Sequence, residues 1–171
     1  MLRKIATAIV AVTAAGCSFV LDFSSKAIPL DAAIDAPFTA DQCAFDEPDD
    51  TAATAVVVTS ADTGPAAICP TTDGSDDLDF YKFTVPDMTA TVTVSIAFTD
   101  ALGDLDLRLF DATGTTMLAQ SRGFGDGESI TCPSASPFCS ALAAGDYVFE
   151  VFPAVPGATN FYTFSVTITA M

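Results

Sequence analysis

From residue 46 onward the chain keeps a period of two, and that limits what it can fold into. Val92, Val94, Ile96 and Phe98 alternate with Thr91, Thr93, Ser95 and Ala97. An extended backbone sends successive side chains to opposite faces, so this segment is a strand with one apolar face and one short polar face. Tyr81, Phe83 and Val85 repeat the pattern around Lys82 and Thr84, and Leu105, Leu107 and Leu109 around Asp104, Asp106 and Arg108. Tyr147, Phe149 and Val151 do the same, as do Tyr162, Phe164, Val166 and Ile168. Residues 54–59, 116–120 and 128–132 are weaker strand segments. Turn chemistry separates the runs at Asp73-Gly74, Pro86-Asp87, Gly103, Gly114, Gly123 to Gly127, Gly145 and Pro156-Gly157. No segment of useful length keeps a helical period without a breaker. Roughly eight short strands at this spacing predict an all-β sandwich or barrel.

Charge narrows the function. The 171 residues include 6 Lys+Arg, 22 Asp+Glu and no His, a net charge of -16. Without imidazole there is no Ser-His-Asp or Cys-His catalysis and no His-ligated zinc. Phosphate would be repelled, so nucleic acid is not an expected partner. Half the residues are hydrophobic and 16% are charged, a composition able to bury a core.

The N-terminus reads as an address. Arg3 and Lys4 precede an apolar run from Ile5 to Ala15, too short to span a bilayer. The run ends in Ala14-Ala15-Gly16-Cys17, which resembles the lipobox of bacterial lipoproteins, with Ala14 where that motif usually has Leu. The resemblance implies cleavage before Cys17 and a diacylglycerol on its thiol. Cysteine parity agrees: assigning Cys17 to lipid leaves Cys43, Cys69, Cys132 and Cys139, an even set for an oxidising compartment. Three pairings are open to them; the local one joins Cys43 to Cys69 and Cys132 to Cys139. The expected organisation is a signal peptide over 1–16, a flexible tether over 17–45 rich in Ala, Asp and Pro, and the sandwich over 46–171. Cleavage removes two bases and no acid, so the mature chain is two charges more negative and holds to a membrane through lipid alone. Ser18 lacks the Asp that retains enterobacterial lipoproteins at the inner membrane, which favours the outer membrane within the cell envelope.

Four ordered blocks carry a second resemblance. Glu47-Pro48-Asp49-Asp50-Thr51, the stretch from Asp76 to Val85, the stretch from Gly103 to Asp111, and Leu142 to Val148 resemble the bacterial pre-peptidase C-terminal domain. That resemblance implies a jelly-roll-like antiparallel β-sandwich of about eight strands, without catalytic activity, of the kind carried by exported hydrolases. It also implies a calcium site, because some members bind calcium where the Glu-Pro-Asp segment meets the acidic turn before the aromatic strand. The corresponding ligands here are Glu47, Asp49, Asp76, Asp77 and Asp79. Calcium takes six to eight hard oxygens, and like charges gathered without a cation repel, so these residue types fit that ion. The usual upstream catalytic domain is replaced here by a spacer.

Two further features bear on function. Alternation puts Phe80, Phe110, Phe152 and Phe161 opposite the core positions of their strands, where they could form a binding patch for an exported protein or peptide polymer. Asp62-Thr63-Gly64 spells the aspartic-protease triplet, but Pro65 follows it and no second copy exists. The sequence therefore predicts a lipid-anchored, non-catalytic binding or accessory module. The alternative is a secreted hydrolase using a carboxylate pair. A palmitate analogue fed to expressing bacteria should label the chain and fail to label Cys17→Ser; label retained by the variant, or absent from the parent, rules out the anchor.

Overall fold

The computed structural model describes Cys43 and residues 47–86, 90–134 and 139–169. The expected signal peptide, the expected lipid anchor at Cys17 and nearly all of the expected tether lie outside them. Among the described residues nine strands occur in chain order: β1 (Val56–Val57), β2 (Pro65–Ile68), β3 (Asp79–Val85), β4 (Thr91–Phe98), β5 (Leu105–Asp111), β6 (Met117–Ser121), β7 (Gly127–Cys132), β8 (Gly145–Pro153) and β9 (Asn160–Thr169). They form a five-stranded sheet in the order β1-β3-β8-β5-β6 and a four-stranded sheet in the order β2-β9-β4-β7.

The alternating runs became strands because their apolar faces had a partner sheet to cover. Tyr81, Phe83, Leu105, Leu107, Leu109, Phe149 and Val151 face Val92, Val94, Ile96, Tyr162, Phe164 and Val166, all buried. Full burial of each such side chain stabilises by about 1.5–3 kcal/mol before the entropy of ordering is counted. Tyr81 stacks on Phe149, with ring centroids 4.8 Å apart, and meets Phe164 of the other sheet at 4.5 Å. Its hydroxyl lies 2.7 Å from that of Tyr162, which in turn donates to the buried Asp79 carboxylate.

Two details depart from the sequence pattern. The pair β1 and β3 is parallel in an otherwise antiparallel sandwich, and β1 has contracted from the six expected residues to two. β2 is a strand over a segment that the alternating pattern does not mark. Its residues Ala66, Ala67 and Ile68 are all buried, so no alternation marks them, and Pro65 sits at the head of an edge strand, where its missing N–H does no harm. The local cysteine pairing is the one found, Cys43 with Cys69 and Cys132 with Cys139.

Strand direction sorts the connections. Residues 69–78, 99–104, 122–126 and 154–159 link strands at one end of the sandwich, and the segment 47–50 joins them there through the Phe80 N–H, which donates to Asp49 O at 3.1 Å. At the other end, Asp111 organises the turn between β5 and β6. Its Oδ1 accepts from Thr113 N at 3.1 Å, Thr113 Oγ1 at 2.8 Å and Thr115 N at 3.2 Å. These donors favour the carboxylate and hold its pKa down at about 2. A depressed carboxyl pKa stabilises the fold above the ordinary carboxyl range, and that contribution fades as pH falls toward 2. Asp111→Ala should therefore lower the urea midpoint at pH 7, with the difference from the parent narrowing as pH approaches 2. An equal loss at both pH values would refute this role.

Candidate functional site

The acidic segment 47–50 and the loop between β2 and β3 meet at the loop-rich end. The backbone bond from Phe80 to Asp49 fixes the first segment against the start of β3. Glu47 and Asp50 then stand exposed beside Asp77, and carboxylate oxygens of the three lie within 4.8 Å of one another. Asp77 is only 3% exposed. Its Oδ2 accepts the Cys69 N–H, while its Oδ1 is buried without a hydrogen-bond partner. Burial pushes the Asp77 carboxyl up to about 7; the Cys69 N–H opposes the rise, and the neighbouring Glu47 and Asp50 add to it. An all-oxygen set with one buried, unsatisfied carboxylate oxygen suits a hard cation such as calcium, with carbonyls or water completing the shell.

The predicted ligands are divided by this geometry. Glu47 and Asp77 come together, and Asp50, rather than its neighbour Asp49, makes the third member. The Asp49 side chain is buried at 1% exposure. Asp76 Oδ1 accepts the Gly157 N–H at 2.8 Å and so ties two loops together. Asp79 takes the Tyr162 hydroxyl inside the sandwich. The signal for Asp50 was present, since it belongs to the same acidic run, but sequence does not fix which of two adjacent carboxylates faces a neighbouring loop.

The phenyl patch is also divided. Phe80, Phe110 and Phe152 lie on the outer face of the five-stranded sheet, whereas Phe161 belongs to β9 of the other. Phe80 and Phe110 approach to 6.5 Å between centroids, and the Arg108 guanidinium covers Phe152 at 3.7 Å. Arg108 also bonds the buried Glu150 at 3.0 Å. Asp62 is exposed in the connection between β1 and β2, where it accepts from Thr59 N at 2.8 Å. A hollow of about 440 Å³ between β6 and β7, bordered by Met117, Gln120, Ser129 and Cys139, carries no carboxylate. Neither does one of about 350 Å³ bordered by Thr63, Ser95 and Phe164.

Residues 77–153 match the family model of the bacterial pre-peptidase C-terminal domain. Among solved structures, the pre-peptidase C-terminal domain of a collagenase from Bacillus anthracis is similar at 17% identity and a TM-score of 0.50, over 70% of this chain and 97% of that one. That likeness is one of fold. PliG from Aeromonas hydrophila, a periplasmic inhibitor of g-type lysozyme, aligns at 17% identity and a TM-score of 0.45, over 67% of this chain and 96% of its own. No curated protein matches the chain. The matched span takes in Asp77 and strands β3 to β8, and Glu47 and Asp50 fall before it.

A carboxyl with a raised pKa makes the fold more stable at low pH, and the advantage is lost as pH rises through the interval between its ordinary and its folded value. In EDTA, stability should therefore fall between pH 4 and pH 7, and Asp77→Asn should flatten that fall. Urea midpoints across this range check it; an unchanged slope in the variant would mean that Asp77 does not titrate as described.

Proposed function

We propose that the chain is a non-catalytic binding or accessory module of the pre-peptidase C-terminal type. It is lipid-anchored through Cys17 in the cell envelope, on the outer membrane, and calcium held by Glu47, Asp50 and Asp77 stabilises it. The placement of the carboxylates carries this reading. Asp79, Asp106, Glu128 and Glu150 are buried, and each of the last three is hydrogen-bonded to a neighbouring side chain or backbone group. The remaining described acids stand on loops and strand ends, and neither the hollow beside Met117 nor the one beside Thr63 is bordered by a carboxylate. A hydrolase working through paired carboxylates needs two acids facing a substrate cleft, as glycoside hydrolysis illustrates.

The match over residues 77–153 supports the accessory role, because the domain it describes accompanies catalytic units rather than serving as one. The tether gives the module reach: extended, its residues would span on the order of 80–100 Å from the lipid. Its ligand is then an exported protein or peptide polymer within that distance. Calcium at Asp77 would satisfy the orphaned Oδ1 and relieve the repulsion from Glu47 and Asp50, which gives binding a direct route to stability.

Melting curves test the metal. At neutral pH, millimolar calcium should raise the melting temperature by several degrees, EDTA should reverse the rise, and Asp50→Asn and Asp77→Asn should each abolish it. An unchanged melting temperature in the parent chain would overturn the calcium assignment.

A further inference from the structure

Three loops at the same end of the sandwich each raise one large apolar side chain into solvent. In chain order, Leu102, between β4 and β5, is 50% exposed; Phe124, between β6 and β7, is 99% exposed; and Val155, between β8 and β9, is 62% exposed. Loop tips of this kind are ordinarily polar, and leaving such side chains in water is unfavourable.

The loops are braced. Asn160 Nδ2 donates to Thr99 O at 2.8 Å and to Gly103 O at 2.7 Å, closing the first loop onto the start of β9. Gly103 packs so closely on the third loop that a Cβ there would stand 2.7 Å from Thr159 O. Asp126 joins the first two, taking the Asp100 N–H on Oδ1 at 2.9 Å and the Phe98 N–H on its carbonyl at 3.1 Å. At the base of the Phe124 loop, Gly123 N donates to the buried Glu128 at 2.8 Å, and a Cβ on Gly123 would displace that carboxylate. These tips are held in place before any partner arrives, which lowers the ordering cost of binding.

Their surroundings are predominantly acidic. Asp100, Asp104 and Asp126 stand on these loops, and Arg122, the one basic residue there, is turned onto the buried Asp106 at 2.8 Å. Burial raises the pKa of Asp104, and the charges of Asp100, Asp106 and Glu128 raise it further. The geometry points to this end of the sandwich as a docking surface for a basic protein, in which Phe124, Leu102 and Val155 enter apolar depressions ringed by Lys and Arg that meet Asp100, Asp104 and Asp126. Charge complementarity selects that occupant. An anionic lipid surface and a second copy of this acidic chain would both be repelled, and apolar anchors inside a polar rim are the usual anatomy of a protein interface.

The inference rests on reading the chain as a binding module, and it names the surface and the partner's chemistry. A random peptide library displayed on phage, selected against the full chain with calcium present, tests it. Selected peptides should combine Lys or Arg with an aromatic or aliphatic residue. As synthetic peptides they should bind at least tenfold more weakly to Phe124→Ser, and more weakly in 500 mM than in 50 mM NaCl, while the melting temperature of the variant stays at that of the parent. Recovery of no peptide, or of peptides indifferent to Phe124→Ser and to salt, overturns the proposal. So does self-association, or partition onto zwitterionic or anionic vesicles, that Phe124→Ser abolishes. A hydrolytic activity in the chain would sink the module reading and leave these binding outcomes legible.

Discussion

The paired hydroxyls of Tyr81 and Tyr162 are the contact on which the rest of the sandwich depends, because they are polar groups where the two sheets must close. Tyr81 belongs to the five-stranded sheet and Tyr162 to the four-stranded one; their 2.7 Å bond, continued to Asp79, spans the core. Either hydroxyl buried alone would cost about 1–3 kcal/mol in lost hydration. Together they let the Tyr81 ring pack on Phe149 and Phe164 with both hydroxyls satisfied. Burial in this network lifts the Tyr162 hydroxyl well above its ordinary pKa, so it remains a donor.

That network shapes the surface as well. It takes Asp79 inward and leaves Asp77, two residues earlier, at the mouth of the loop beside Glu47 and Asp50. The outer face of the same sheet deals with its acids differently. Arg108 and Arg122 bond Glu150 and Asp106 and both approach the Phe152 ring. Those two bases are thus directed at strand carboxylates and not at the loop carboxylates of the adjoining end. The acidity of the chain is concentrated where its loops are, and the apolar tips rise from that same end.

The strands were legible because alternation is a local property. Val92 to Phe98 and Tyr162 to Ile168 each announce their inward face, and those faces meet in the register the apolar residues require. Pro65 to Ile68 was not legible, since a short run buried on both sides looks like a linker. The metal candidates were legible as a run and not as a set, because the choice of Asp50 over Asp49 follows from a backbone bond between Asp49 and Phe80, far apart in sequence. The four phenyls shared an orientation relative to their own strands, yet strand order assigned Phe161 to the opposite sheet. Gly123 to Gly127 was visible as a turn. That it lifts Phe124 clear of the surface at the end that also carries Leu102 and Val155 was not, for those residues share an end only once three connections between the two sheets close there.

The all-β class, the inward face of the long strands and the strong acidity of the chain can all be read from the sequence alone. Each of these is a matter of neighbouring residues or of totals, and neither needs the chain to close. Tertiary structure decided the parallel entry of β1, which carboxylates converge, which are consumed by arginine or tyrosine, and which apolar side chains remain in water. Those outcomes depend on contacts between segments tens of residues apart, and only the order of strands in two sheets brings such segments together.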